Sequence, residues 1–484
     1  MFIIQIILSF ICAGAICCYC DSNVTTDAYS VSNLSNNNSY SINQQLLQTK
    51  EMTYVVWAGS SNSTSGAGNI LFRSSNDSAN HFNDILILSN KTGDSNLPSI
   101  SSSGNNVYIA WEEKSPQNSH INFRYSTDNG ATFSDIVDVS NGTIGSTLAK
   151  VVSNKNYVYV VWVGSNFDNQ KNFEVFVRRS NDSGQSFGNV INMSKSEGDS
   201  IDPQIIVPIN GSMIYVVYTD CDPKHADPLC RIYLVRSSNN GLTFNSPLLI
   251  STEPVDDPYN PSANNFESRI GEPLPSTHEP NVQNRTREHN SVIPLVTSSA
   301  DGKAVYVFWE DDLTRTGSSD IFFKRSMDFG KTFEAAINLS NTPGISRLAR
   351  SITLGSDIYL VWSDTNTTIG QFDVFFKKLG EYGKQLGKTI NLSNSNRSSA
   401  PSDIGLYNNS KKIHVAWIEQ FENGSKILLA TSTNSGNTFG KPIAMETKVS
   451  SNPSLIHISY SNNSGLAWTE YSKENANIYF TRID

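Results

Sequence analysis

The sequence predicts an all-β protein, an eight-bladed β-propeller of four-stranded antiparallel blades, with six or seven blades as the alternative count. Two repeats carry this reading. The first is a turn: Ser126 to Phe133 reads S-T-D-N-G-A-T-F, Ser180 to Phe187 reads S-N-D-S-G-Q-S-F, and Ser326 to Phe333 reads S-M-D-F-G-K-T-F. Copies at Ser237 to Phe244 and Ser432 to Phe439 place Asn239 and Asn434 where the others have Asp128, Asp182 and Asp328. The second is a short β run closing on an aromatic residue at Trp57, Trp111, Trp162, Tyr218, Trp309, Trp362, Trp417 and Trp468, which uses every tryptophan in the chain. Successive copies lie about 51 to 56 residues apart, except that Tyr218 to Trp309 carries about 40 more. Separate sandwiches do not repeat one motif at a constant period.

Taken in order, residues 1–20 form an apolar leader, MFIIQIILSFICAGAICCYC, read as a signal peptide or membrane leader. Residues 21–43 are Ser/Asn-rich and read as a disordered tail; the propeller is expected to span 44–484. Within each period an inner strand, often opened by Pro, precedes the tryptophan strand. A third strand ending in Arg-Ser leads into the turn, and a fourth ends in N-x-S. The turn has a physical logic, since Gly supplies a positive φ, Asp or Asn caps backbone N–H groups, and Phe returns to apolar packing. Two turns are degenerate: Leu379 to Gly383, and Ser75 to Ala79, which lacks the Gly. The last period stops after its third strand, so the fourth is expected from the N-terminal side, around Gln45 to Lys50. Closure of that kind removes exposed sheet edges.

Four of the six cysteines lie in the leader, and the remaining pair, Cys221 and Cys230, predicts a disulfide clamping a loop in an exported chain. A metal site with His225 is the competing reading, at a spacing that fits no standard zinc pattern. No metal or cofactor is expected beyond an unsupported structural cation. Sequons such as Asn62, Asn90, Asn141, Asn338 and Asn423 suit a glycosylated, extracellular, secreted or surface-attached protein. Only 17% of the 484 residues are charged and the net charge is -9, which leaves no basic footprint for nucleic acid. Membrane association is expected through the leader alone, and the chain is read as a monomer.

The turn S-x-D-x-G-x-T-F after an Arg-Ser strand resembles the Asp-box, or bacterial neuraminidase, repeat of the sialidase-like β-propellers, and the resemblance covers nearly everything from about residue 50 to 484. It implies that Asp128, Asp182 and Asp328 are structural, on the face opposite the active site, and that Arg73, Arg179, Arg236 and Arg325 brace the blades. Members that hydrolyse sialic acid use an arginine triad, a Tyr–Glu pair and an Asp acid/base. The Phe/Tyr-Arg-Ile-Pro motif holding their first arginine is absent, and Leu46 to Gly59 contains no arginine.

Function is therefore sought on the face carrying the loops after the second and fourth strands. Three features converge there. Acids follow the aromatic strand ends, among them Glu112, Glu113, Asp220, Glu310, Asp311, Asp364, Glu419 and Glu470; Glu113, Asp220, Asp311, Asp364, Glu419 and Glu470 are the ligand-binding candidates. As strand ends they also have reason to be polar simply because they meet solvent. The Cys221 to Cys230 loop is the second feature. The third is the insertion 252–290, whose His278, Glu279, Arg285 and Arg287 are candidates for acid–base work. The expected function is recognition of an extracellular glycan or glycoprotein without classical sialidase catalysis. A sialidase-like exo-glycoside hydrolase and a protein-binding adhesin are the alternatives.

Overall fold

The computed structural model describes residues 30–483 apart from 36–39, 61–67, 90–92, 116–117, 167–168, 210, 223–228, 252–289, 313–317, 366–369, 407–410, 422–423, 446–451, 460–463 and 472–474. The leader, most of the insertion and the tip of the Cys221–Cys230 loop lie outside the described residues. Among the described residues every regular element is a β-strand, and the strands form repeated antiparallel units. A representative unit runs Asp94–Ser103, Asn106–Lys114, Ser119–Ser126 and Val137–Asp138, each strand paired to the next. Five sheets have this four-stranded form, and a sixth adds one two-residue strand.

The first and last units share an eight-stranded sheet. Tyr40–Gln48, Thr53–Ser60, Asn69–Ser75 and Leu86–Ile87 form one run, and Asn452–Ser459, Ser464–Tyr471 and Ala476–Ile483 form the other. The innermost strand of each unit packs on the innermost strand of the next, and Asn452–Ser459 packs back on Tyr40–Gln48. The sheets thus close into a ring of propeller-type blades.

The strand completing the last unit is Val31–Asn33, paired as Val31↔Thr481, Ser32↔Phe480 and Asn33↔Tyr479. This corrects the expectation that Gln45 to Lys50 supplies it: that stretch belongs to the innermost strand of the first unit. The N-terminal segment 21–43 accordingly contains a sheet strand and part of a second. The Leu34 N–H donates to the Ile478 carbonyl at 2.8 Å, and the Ile478 N–H donates to Ser35 Oγ at 3.1 Å.

Packing between sheets explains the tryptophans. All seven are fully buried, as is Tyr218. Trp162, Trp309, Trp362 and Trp468 stack at 5.8–5.9 Å on the aromatic residue facing them on the third strand of their own sheet. Each tryptophan then fills the space against the preceding sheet. Trp362, for example, packs among Tyr306, Phe308 and Phe323. Trp57 packs among Ala467, Ile478, Phe480 and Leu34 and closes the ring.

The Asp turns are a second inter-sheet device. Asp128 Oδ1 accepts from Ser126 Oγ at 2.7 Å and from the Thr132 N–H at 2.9 Å, while Oδ2 accepts from the Thr132 hydroxyl at 2.6 Å. The Gly130 N–H donates to Ser126 Oγ. Asn129 and Gly130 are both left-handed, at φ 59° and 81°. A Cβ on Gly130 would come within 2.7 Å of the Phe72 ring on the preceding sheet, so Gly is required twice over. The Gly-less copy keeps the same geometry: Ser78 and Ala79 are left-handed, and His81 takes the place of the Thr hydroxyl, with Nδ1 2.7 Å from Asp77 Oδ2.

A third device is cationic. Arg73 Nη1 donates to the Leu34 carbonyl, Arg178 Nη1 to the Val139 carbonyl, Lys324 Nζ to the Ile250 carbonyl and Lys377 Nζ to the Leu339 carbonyl. Each acceptor lies just past the fourth strand of the preceding sheet. Of the arginines expected to brace the blades, Arg73 does so. In later sheets the residue at that register is Arg178, Lys324 or Lys377, while Arg179 stacks over Tyr157; Arg325 pairs with Glu334 and also donates Nη1 to the Tyr382 carbonyl of the following sheet at 3.2 Å, so it too joins two blades.

The Asp turns yield a pH prediction. The Thr132 hydroxyl leads in holding the Asp128 carboxyl down to about 2. At Asp328 burial pushes upward but is outweighed by the Thr332 N–H and hydroxyl, and the value is again about 2. A carboxyl depressed below its unfolded value of about 3.9 adds stability above that pH, and this is lost as pH falls through about 2. Asn239 and Asn434 build the same turn without a charge, each donating its Nδ2 to the Thr hydroxyl. Asp328→Asn should therefore match the parent near neutral pH and lose less stability on acidification. Asp328→Ala should lower stability by about 1–3 kcal/mol. Urea titrations at pH 7 and pH 3 check both; an Asn variant as damaged as Ala contradicts the account.

Candidate functional site

The acids that follow the aromatic strand ends divide by one position. Because strand side chains alternate, neighbours along the strand face opposite ways. The acid two residues after the aromatic stays within its own sheet. Asp364 Oδ2 accepts from the Trp362 indole N–H at 3.2 Å and from Ser346 Oγ at 2.8 Å, and Ser346 is its register partner. Asp311 repeats this with Trp309 at 3.0 Å and Ser291 at 2.7 Å. Asp220 accepts from Ser200 Oγ at 2.7 Å, Glu419 from Ser399 Oγ at 3.3 Å, and Glu113 from Asn122 Nδ2 at 2.8 Å. Glu470 is buried as well.

The six ligand-binding candidates are thus distributed around the ring, one to a sheet, and the hydrogen bonds of Glu113, Asp220, Asp311, Asp364 and Glu419 brace the sheet that carries them. A buried carboxylate is retained where such bonds replace water, and Asp311, Asp364 and Glu419 are buried with bonds of this kind. Among the described residues no group of three or more His, Cys, Asp or Glu is placed to hold a metal ion.

The residue one after the aromatic reaches the innermost strand of the next sheet instead. Glu112 accepts from the Thr147 hydroxyl, Glu310 Oε1 from the Leu348 N–H at 2.5 Å, and Thr469 donates to Gln44 Oε1. Burial pushes the Glu310 carboxyl up to about 7, against the pull of the Leu348 N–H, Arg347 and Arg350.

These contacts land on a feature that sequence reading missed. Each innermost strand breaks its ladder with a bulge at one level: Ile42/Gln45, Asn96/Ser99, Thr147/Lys150, Ile201/Gln204, Val292/Leu295, Arg347/Arg350, Pro401/Asp403 and Ser454/Ile456. In six of them a non-glycine residue sits in the left-handed region: Asn43, Leu97, Leu148, Asp202, Ile293 and Leu348, at φ 49–56°. Each such residue costs of order 1–2 kcal/mol, and bulges re-aim side chains. Leu148, Ile293 and Leu348 are exposed, at 36–40%, although they belong to the innermost strands of a packed ring. Equivalent bulge positions of three innermost strands thus carry an exposed apolar side chain, an apolar collar in the repeat, toward the strand ends where the acids and the Cys221–Cys230 loop lie.

One residue past two of these bulges stand Lys150 and Arg350. Lys150 is half-buried, and enclosure lowers its pKa, with the Arg350 charge acting in the same direction and Asp202 opposing. Burial raises the Asp202 carboxyl and Lys150 opposes that. The signal was present in the letters, since Ser146-Thr-Leu-Ala-Lys150 and Ser346-Arg-Leu-Ala-Arg350 are the same five-residue pattern.

Cys221 and Cys230 are register partners and form a disulfide, with Cα atoms 3.9 Å apart. The Cys230 N–H donates to Asn290 Oδ1 at 3.0 Å, which ties the end of the insertion to this loop. His278, Glu279, Arg285 and Arg287 lie outside the described residues.

No protein-family model matches the chain, and no curated protein matches it. Solved structures similar to it include a PL25 ulvan lyase bound to -[GlcA(1-4)Rha3S]-, with TM-score 0.49 and 11% identity over 94% of this chain and 95% of that one. Trypanosoma rangeli sialidase with 2,3-difluorosialic acid gives 0.40 and 11%, over 82% and 55%. A Dyadobacter fermentans protein of unknown function gives 0.42 and 12%, over 81% and 95%. Sialidases and polysaccharide lyases are thus among its structural neighbours; at TM-scores below 0.5 these likenesses carry no functional argument for this chain.

Proposed function

We propose that this chain is an eight-bladed sialidase-like β-propeller with Asp-box turns that acts outside the cell and recognises extracellular glycans at the mouth of its central channel. Eight inter-sheet clusters, each holding one tryptophan or Tyr218, support the blade count. The disulfide suits an oxidising compartment. The observation that carries the functional reading is the bulge repeated at one level of the ring. Strained backbone clusters where groups are positioned for function, and its recurrence at one level of the ring supports a binding site there.

The test compares two faces. Leu148→Asn combined with Leu348→Asn removes two of the three collar residues while keeping residues that tolerate the left-handed region. Binding of the full chain to an oligosaccharide array should fall about tenfold for ligands of the parent, as expected for loss of roughly 1.4 kcal/mol. Asn434→Ala, in a turn on the opposite face, should leave binding unchanged. Loss through Asn434→Ala with retention in the collar variant would place recognition on the other face.

A further inference from the structure

Because the strands of each sheet are antiparallel, the Asp turns and the hairpins between first and second strands emerge at one end of the ring, opposite the acids and the Cys221–Cys230 loop. The loops interlock there: Asn154 Nδ2 donates to the Pro208 carbonyl at 3.0 Å, and Ser212 Oγ to the Ser238 carbonyl at 2.9 Å. The chain also enters at this end. Val31 pairs with Thr481, whose hydroxyl donates to the Ser30 carbonyl at 3.0 Å, and Arg482 Nη1 donates to Asn80 Oδ1 of the Gly-less turn. From there Val31–Asn33 runs toward the other end, so the segment before Ser30 leaves the ring on the turn face, at its outer edge. Residues 21–29 reach at most about 30 Å when fully extended, and the apolar run 1–20 precedes them.

The side chains of this face match a charged bilayer. Lys50, Lys155, Lys303, Lys331, Lys384 and Lys411 stand exposed in its loops, on a chain of net charge -9. None of the six makes an ion pair among the described residues. Acids of the same loops are largely engaged: Asp301 is held by Ser299 and the Lys303 N–H, Asp328 by Thr332, and Glu334 by Arg325. Ile209 and Leu242, in two loops of one sheet, are 74% and 62% exposed, more than any other large apolar side chain among the described residues. Cations meet anionic headgroups and protruding apolar tips enter the acyl boundary.

We infer that the turn face is a docking surface for an anionic lipid bilayer, with the apolar run 1–20 as its anchor and residues 21–29 as its tether. A tether this short keeps the face near the surface, where lysine attraction, screened beyond about 8 Å at physiological ionic strength, takes hold. Anchoring also makes each further contact effectively intramolecular, so that weak attractions suffice. The channel mouth and its collar then face away from the membrane. The inference does not depend on what the mouth binds.

The test is amine-reactive labelling of the full chain in lipid nanodiscs, read by mass spectrometry. Discs of phosphatidylglycerol mixed with phosphatidylcholine are compared with discs of phosphatidylcholine alone. Lys195, exposed past the fourth strand Ile191–Asn192 at the other end of the ring, is the internal reference. In anionic discs labelling of Lys303, Lys331 and Lys411 should fall roughly fivefold or more relative to Lys195, and in neutral discs by less than about twofold. Salt at about 0.5 M should restore labelling, because it screens the attraction. Ile209→Glu with Leu242→Glu should abolish the protection and leave melting at the parent's midpoint, since both side chains are exposed. Lys50→Gln, Lys155→Gln and Lys384→Gln together keep the three reporting lysines and should weaken their protection severalfold. Protection of Lys195 with the three reporters unchanged would place the channel mouth against the bilayer and overturn the inference. Equal labelling in both kinds of disc would overturn it too, as would a chain that does not stay with the discs.

Discussion

Deletion of residues 30–35 is expected to destabilise the ring by on the order of 5 kcal/mol and to make the protein prone to aggregation. The short strand Val31–Asn33 supplies the last rungs beside Ala476–Ile483, and Leu34 is buried against Trp57, Ile478 and Phe480. Burying such a leucine contributes about 2–3 kcal/mol, and each lost ladder bond about 1 kcal/mol. The Arg73 bond to the Leu34 carbonyl is lost with them. Marginal stability for a domain is about 5–15 kcal/mol, so a change of this size shifts the population measurably. The exposed edge of Ala476–Ile483 then offers unpaired backbone to other chains. Chemical denaturation with light scattering measures both effects. A deletion variant that unfolds at the parent's midpoint and stays monomeric would show that the closing strand contributes little.

Trp362→Ala is expected to cost about 3–5 kcal/mol, the range for removing a buried large aromatic. The indole is buried against Tyr306, Phe308 and Phe323 of the preceding sheet and stacks on Phe375 of its own. Its N–H also satisfies Asp364, which is buried and would lose a donor. Trp362→Phe keeps much of the area and loses the donor, so its cost should be about half. If the alanine variant melted within 1 °C of the parent, packing between blades would not depend on this column.

What could be read in advance follows from what repeats as letters. The tryptophan column and the Asp turns recur with fixed chemistry, and the sheets follow their period. The closing strand did not stand out, because Val31, Ser32 and Asn33 give too short a run to show strand alternation inside a Ser/Asn-rich segment. The acids were visible, but treating Glu112 with Glu113 and Glu310 with Asp311 merged two faces of a strand that the pleat separates. The bulges were hardest to see. Leu97, Leu148 and Leu348 adopt a conformation that composition assigns to Gly or Asn, because the ring imposes it through contacts such as Glu310 with the Leu348 N–H. One inserted residue reverses which side chains face the channel. Lys150 and Arg350 could therefore be matched to each other by pattern but not aimed.

The claim that recognition occurs at the channel mouth is tested most directly by amine-reactive labelling, read by mass spectrometry with and without the oligosaccharide that binds best. Lys150 has a lowered pKa and retains solvent contact, so it should label readily in the free protein. Lys331, exposed in an Asp turn at the opposite end of its blade, serves as the internal reference. Saturating ligand is predicted to suppress labelling of Lys150 and leave Lys331 unchanged. Suppression at Lys331 with Lys150 unaffected would contradict the account.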